Sequence, residues 1–232
     1  MTGPLAVIPA RGGSKRIAGK NIRLFNGVPM IAWSIRAAQA AGCFARIVVS
    51  TDDEAIAAVA RAEGADVPFM RDAALADDYT GTSAVVADAV SRLPAHEIVC
   101  CLYATAPLLA PETLREGLWR LQASPRHEYA FSVCAFGFPV QRALVLGESG
   151  VAPLYPEHAG TRSQDLPVAY QDAGQFYWGR RQAWLAGTPV FSGASLPIIL
   201  PRHRVQDIDT EEDWHRAELM QQVLWHSGEL KR

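Results

Sequence analysis

Through its first 135 residues the chain alternates short apolar runs with stretches whose apolar residues recur at helical spacing, and this rhythm narrows the fold more than any other feature. Pro4 to Ala10, Arg46 to Ser50, Ile98 to Tyr103 and Tyr129 to Phe136 read as strands, and Val67 to Met70 as a brief further one. Between them, Pro29 to Ala41 ends at Gly42, a natural residue after a helix C-terminus. A second helix runs from a cap at Asp52 or Asp53 to Glu63, closed by Gly64. Thr82 is placed to cap a third helix to Arg92, and Pro111 opens a fourth to Gln122. Strands alternating with helices predict an α/β fold: a doubly wound, mostly parallel sheet with right-handed crossovers and functional loops at the strands' carboxyl ends.

Residues 137–170 break the rhythm. Four prolines and short apolar pieces such as Ala143-Leu144-Val145-Leu146 make the segment too short for a domain and too apolar for disorder. It is expected to be a β-rich insertion that packs against a second subunit, making a homodimer; the alternative is an Ω-like surface excursion on a monomer. Regular structure resumes with Gly174 to Gly179, followed by a helix around Arg181 to Ala186, the strand Leu196 to Leu200 and a last helix from about Thr210 to His226. Thr210 and Asp213 give that helix a capping-box-like start. The whole of residues 1–232 is expected to be one domain carrying this insertion.

The loop after the first strand, Ala10-Arg11-Gly12-Gly13-Ser14-Lys15-Arg16 followed by Lys20-Asn21, concentrates positive charge. The chain has only three lysines, and two of them, Lys15 and Lys20, lie here. Ammonium groups beside consecutive backbone N–H groups in a Gly-rich turn form an anion-binding concavity suited to phosphate. The spacing matches neither a P-loop nor a G-x-G-x-x-G fingerprint. Near the other end, Asp207-Ile208-Asp209 would place two carboxylates on one side of an extended segment, with Ile208 turned into the core. Such a pair suits Mg²⁺, which completes its shell with phosphate oxygens and water. Taken alone, the motif is equally consistent with a solvated strand end before a helix.

A formal net charge of −2 gives no general basic field and argues against a nucleic-acid partner. No apolar run approaches the roughly 18 residues needed to span a bilayer, so no membrane role and a cytoplasmic location are expected. Cys43, Cys100, Cys101 and Cys134 lack C-x-x-C spacing and read as core filling, and the scattered histidines give no zinc pattern.

Arg11, Ser14, Lys15, Lys20 and Asn21 fall on the pattern Ala-Arg-x-x-Ser-Lys-x-x-x-x-Lys-Asn, and in this the chain resembles the nucleotide-sugar cytidylyltransferases, which have a Rossmann-like nucleotide-diphospho-sugar transferase fold. The resemblance implies that Ala10, Arg11, Gly13, Ser14, Lys15, Lys20 and Asn21 wrap the triphosphate of CTP. It implies that Arg71 and Thr82, flanking the stretch Asp77-Asp78-Tyr79-Thr80-Gly81, approach the cytosine. Asp207 and Asp209 would hold Mg²⁺, and Arg11, Lys20 and Asp209 would be the residues closest to the chemistry. The later segments Tyr103-Ala104-Thr105-Ala106-Pro107, Arg162-Ser163-Gln164-Asp165-Leu166 and Gln171-Asp172-Ala173-Gly174-Gln175-Phe176-Tyr177-Trp178 are most similar to those of the group that activates pseudaminic acid. That likeness implies sugar contacts from Tyr103, Arg162, Gln171, Gln175, Phe176 and Tyr177. The implied substrates are CTP and a nonulosonic acid sugar. Enzymes activating N-acetylneuraminic or legionaminic acid are the near alternative, and a non-catalytic nucleotide-binding subunit the distant one.

Overall fold

The computed structural model describes residues 3–77, 80–93, 96–148 and 150–231; Asp78 and Tyr79 of the stretch noted above lie outside the described residues. The first half contains β1 (Leu5–Pro9), a small hairpin of β2 (Leu24–Phe25) and β3 (Val28–Pro29), α1 (Met30–Ala41), β4 (Arg46–Ser50), α2 (Glu54–Ala62), α3 (Thr82–Arg92), β5 (Ile98–Leu102), α4 (Pro111–Gln122) and β6 (Tyr129–Ala135). The second half contains β7 (Leu144–Gly147), β8 (Gly150–Pro153), β9 (Tyr170–Arg180), α5 (Arg181–Ala186), β10 (Ser195–Leu200) and α6 (Glu211–His226).

Six strands form one sheet in the order β10-β6-β9-β5-β1-β4. β1 runs parallel to β4 and β5, and β10 parallel to β6. β9 is antiparallel to both neighbours, β5 and β6. The expectation of a mostly parallel sheet holds with this one inversion: β9 returns from the insertion directly beside β6 with no crossover helix, so it must run the other way. Central strands are apolar on both faces because helices cover both sides. Along β5, Cys100 packs into the core layer of α1 and α4, and Cys101 into the layer of α3 and α5, as the two-residue period requires. Burial pushes both thiols up, which suits inert packing residues.

Local chemistry explains the helix ends. Asp53, rather than Asp52, caps α2, accepting from the N–H groups of Ala55 at 2.7 Å and Ile56 at 3.0 Å. Gly42 ends α1 in the left-handed region at φ 63°. Thr82 does not cap α3: Gly81 precedes the helix and Thr82 is its first residue, with its side chain left available. Val67 to Met70 makes no strand, only isolated bridges from Asp66 to Val48 and from Met70 to Thr51. Pro68 removes a donor from the middle of that run.

The insertion contains β7 and β8, paired only with each other, and three short 3₁₀ turns. Every residue of both strands is exposed. No helix among the described residues is long and apolar enough to cross a membrane.

At α6 the capping box forms in full: Thr210 accepts from the Asp213 N–H, and the Asp213 carboxylate accepts from the Thr210 N–H at 2.9 Å and hydroxyl at 2.7 Å. These bonds, with the Thr210 hydroxyl foremost, hold the Asp213 carboxyl below its ordinary range. Thr210→Ala should lower unfolding free energy by about 1 kcal/mol at neutral pH. A depressed folded-state pKa stabilises above the unfolded value, near 4, and that contribution is lost as pH falls through the folded value. Denaturant titrations at pH 7 and at about pH 3 should therefore show the mutant–wild-type gap narrowing in acid.

Candidate active site

The cationic loop is folded back on itself at the carboxyl end of β1. Ala10, buried, ends the strand by donating to the Ser50 carbonyl at 3.0 Å. The Gly12 N–H donates to Asp52 Oδ1 at 3.1 Å, and a Cβ at Gly12 would stand 2.6 Å from Asp53 Oδ2, so the close approach to the start of α2 requires glycine. Asn21 clamps the far end, its buried amide donating to the Arg11 carbonyl at 2.9 Å. Arg11 reaches across to the Asp77 carbonyl at 2.9 Å. Gly13 has open space where a side chain would stand.

A small apolar cluster joins this loop to the C-terminal segment. Ile17 from the loop, Phe25 and Met30 beside the hairpin, Trp33 of α1, Ile208, and Trp214 and Ala217 of α6 pack together. Phe25 and Trp214 meet edge to face at 5.3 Å. The hairpin turn, Asn26-Gly27, has both residues at positive φ, 46° and 83°, the geometry that Asn-Gly favours. The Asn26 side chain donates to the Glu218 carbonyl at 3.0 Å and Gln221 Oε1 at 2.9 Å, fastening the turn to α6.

With Ile208 buried, its neighbours face the loop. Arg16 Nη1 lies 2.6 Å from Asp209 Oδ2, Lys20 Nζ lies 3.5 Å from Asp209 Oδ1, and Lys20 also donates to the Ile208 carbonyl. The Lys20 side chain is only 16% exposed. Asp207 is held above the ordinary carboxylate range, first by burial and then by the charge of Asp209. Among the described residues no group of three or more metal-binding side chains occurs. Two carboxylates two residues apart beside a cationic loop still fit Mg²⁺, which takes one or two protein carboxylates and leaves its other positions to anionic oxygens and water.

A cavity of about 300 Å³ lies over this arrangement. One end is cationic, lined by Ser14, Lys15, Arg16 and Lys20; the other is lined by Arg71, Leu75, Thr82 and Val85. Arg71 is buried, its guanidinium donating to Ser50 Oγ at 3.1 Å and to the Ser50 carbonyl, and burial lowers its pKa. An elongated ligand with an anionic tail and a flat polar head suits such a shape.

A second cavity, about 240 Å³, adjoins the first and shares Thr82 with it. Tyr103, Tyr177, Asp172 and Phe191 line it. The Tyr103 and Tyr177 rings lie 5.2 Å apart, and the Tyr177 hydroxyl donates to Asp172. The other sequence candidates for the sugar side sit elsewhere. Phe176 is fully buried against α4 because alternation along β9 sends it and Trp178 to the face opposite Tyr177. The buried amide of Gln175 donates to the Arg204 carbonyl at 2.6 Å. Arg162 is exposed and pairs with Asp165 at 2.8 Å, and Gln171 is exposed in register with Cys134; neither lines either cavity. Sequence reasoning passed over Arg16, Thr105, Asp172 and Phe191. Arg16 stood in the cationic run and Asp172 beside Gln171, whereas nothing local marks Phe191.

Comparison with known proteins identifies the family. A family model described as Cytidylyltransferase matches residues 5–189. The chain is 43% identical over 229 residues to the pseudaminic acid cytidylyltransferase of Campylobacter jejuni subsp. jejuni serotype O:2, covering 97% of this chain and 98% of that protein. It is 31% identical to the CMP-N,N'-diacetyllegionaminic acid synthase of Legionella pneumophila, covering 94% of this chain and 96% of that one. Among solved structures, a CMP:2-keto-3-deoxy-manno-octonic acid synthetase complexed with CTP superposes with a TM-score of 0.73 at 17% identity, over 98% of this chain and 100% of that one. The alternating α/β sheet, the loop bearing Arg11, Ser14, Lys15, Lys20 and Asn21, and these matches over nearly the full length make the chain a member of the cytidylyltransferase family.

Proposed function

We propose that this enzyme joins CTP to pseudaminic acid, giving CMP-pseudaminic acid and pyrophosphate. The observation that carries the reading is the Gly-rich cationic loop, which lines one cavity and is ion-paired to Asp209, in a chain that is similar over nearly its whole length to pseudaminic acid cytidylyltransferases. The anomeric hydroxyl attacks the α-phosphorus and pyrophosphate leaves, so the protein's work is positioning and charge neutralisation. Lys15, Arg16 and Lys20 line the cationic end and hold the β- and γ-phosphates; Arg11, at the loop's base, supports them. Arg71 and Thr82 receive the base at the other end. Asp207 and Asp209 would hold Mg²⁺, which when bound would supply phosphate charge neutralisation and favour ionisation of the attacking hydroxyl. Arg16 and Lys20 are paired with Asp209, which keeps the loop's cations beside the aspartate pair.

The second cavity supports pseudaminic acid over a hydroxyl-rich acid. Tyr103, Tyr177 and Phe191 give it aromatic walls, and pseudaminic acid replaces hydroxyls of N-acetylneuraminic acid with a methyl and a second acylamino group. Aromatic walls of this kind discriminate by about 1–3 kcal/mol per group, so slow use of other nonulosonic acids is compatible.

We also propose a homodimer formed through residues 137–170. Every described residue of β7 and β8 is exposed, and an isolated two-stranded hairpin is marginal in water. Phe138 and Leu146 are 86% and 81% exposed, and with Leu144 and Val151 they form an apolar surface of the kind that marks an interface.

Three outcomes follow. Lys20→Ala should keep its melting temperature within a few degrees while turnover falls about 10²-fold or more, the loss typical of one charge stabiliser; wild-type turnover would move the phosphate site elsewhere. With CTP saturating, kcat/KM should favour pseudaminic acid over N-acetylneuraminic acid, and the reverse order would overturn the substrate while leaving the chemistry. Light scattering should give about 50 kDa, twice the 25.2 kDa chain. Leu146→Asp should shift that value toward the monomer, and a wild-type monomer would remove the interface.

A further inference from the structure

Burial of Ile208 brings residues 206–210 against the cationic loop, but one buried side chain does not decide how its neighbours turn. Asp213, in the first turn of α6, fixes them. Its Oδ2 accepts the Asp209 N–H at 3.2 Å, the Thr210 N–H at 2.9 Å and the Thr210 hydroxyl at 2.7 Å. Its Oδ1 accepts the Gln206 amide at 3.0 Å, and the same amide nitrogen donates to the Asp207 carbonyl at 2.8 Å. Both of those partners only accept, so the NH₂ end of the Gln206 amide must face them. One carboxylate thus holds Asp209 directly and Asp207 through Gln206. A capping box needs only the bond to the N-cap N–H, and ordinarily has Glu or Gln at this position. Asp213 does more than begin α6, because two of its partners, Gln206 and Asp209, precede the cap.

We propose that Asp213 is a positioning residue for the Asp207–Asp209 pair, holding the backbone of both so that their carboxylates serve one divalent cation beside the loop. The Asp209 N–H is turned toward Asp213, while the Asp209 carboxylate meets Arg16 at 2.6 Å and Lys20 at 3.5 Å. Ordering such a turn only when a cation binds would cost conformational entropy, and bonds already made to Asp213 remove that cost. Asp213 is not itself offered to the cation. Donors occupy both its oxygens, and among the described residues no group of three or more metal-binding side chains occurs. It stands instead as an outer partner, which orients the groups that bind and weakens the site when it is removed. This role rests on the Mg²⁺ site assigned to the pair above.

Water-proton relaxation, which reports bound Mn²⁺, tests it on the full chain with CTP present and sugar absent. Asp213→Ala should weaken Mn²⁺ binding about tenfold or more, the loss typical of removing such a partner. Thr210→Ala removes the cap hydroxyl and lowers the melting temperature but leaves the bonds to Asp209 and Gln206, so its Mn²⁺ affinity should stay that of the wild type. Glu212→Gln removes a charge from the same turn of α6 and should also leave the affinity unchanged. Gln206→Ala breaks only the arm to Asp207 and should give a smaller loss, with the melting temperature retained. An unchanged affinity in Asp213→Ala overturns the proposal. An equal loss in Thr210→Ala or in Glu212→Gln overturns it too, by reducing the effect to helix capping or to charge. Should Asp213→Ala fail to fold, an unchanged affinity in Gln206→Ala overturns it alone. A wild-type chain that binds CTP but no Mn²⁺ would bring down the metal role of the pair itself, an outcome distinct from wild-type binding that no variant changes.

Discussion

The site depends on a contact that carries no charge. Ile17 and Ile208, separated by most of the chain, share one apolar cluster with Phe25 and Trp214, and burying them brings the cationic loop and the aspartate pair face to face. Neither group could hold that arrangement alone. Exposed ion pairs contribute little and give way to salt, whereas fully burying side chains of this size stabilises by about 1.5–3 kcal/mol each. The Arg16–Asp209 and Lys20–Asp209 pairs are therefore consequences of the packing beneath them. Their partners are free to exchange when an anion arrives, because the scaffold does not rely on them.

Much of this was legible before any coordinates. Period-two and helical patterns located five strands of the main sheet and all six helices, and Gly42, Asp53 and Thr210 end or begin helices through chemistry visible in their own side chains. Ile208 between two aspartates announced its inward turn. What could not be read is what depends on register over distance. Part of β9 was legible as regular structure, but neither its strand pairing nor its inverted direction was, since both follow from where the insertion ends. Phe176 and Tyr177 are adjacent and both aromatic, and only the sheet decides that one faces the core and the other a cavity.

β9 joins the core of the sheet to the second cavity, which its Asp172 and Tyr177 line. Its apolar alternation binds it between β5 and β6, and Gly179, hard against Trp184 and Tyr129, admits no side chain. Pairing with β6 is interrupted only between Tyr177, opposite Phe131, and Asp172, opposite Val133, and the side chains on either side of that break line the second cavity. The ladder resumes beyond it, so the irregularity is confined to a bulge inside a paired strand.

The insertion leaves and re-enters the sheet at adjacent positions: Ala135 pairs with Tyr170, and the Phe136 N–H donates to the Ala169 carbonyl at 3.1 Å. Its two ends are thus closed by the sheet itself, whatever lies between them. Each doubling of such a closed segment costs only about 0.6 kcal/mol in chain entropy. Residues 137–169 can therefore lengthen, shorten or change composition while the register of β6 and β9 stays as it is.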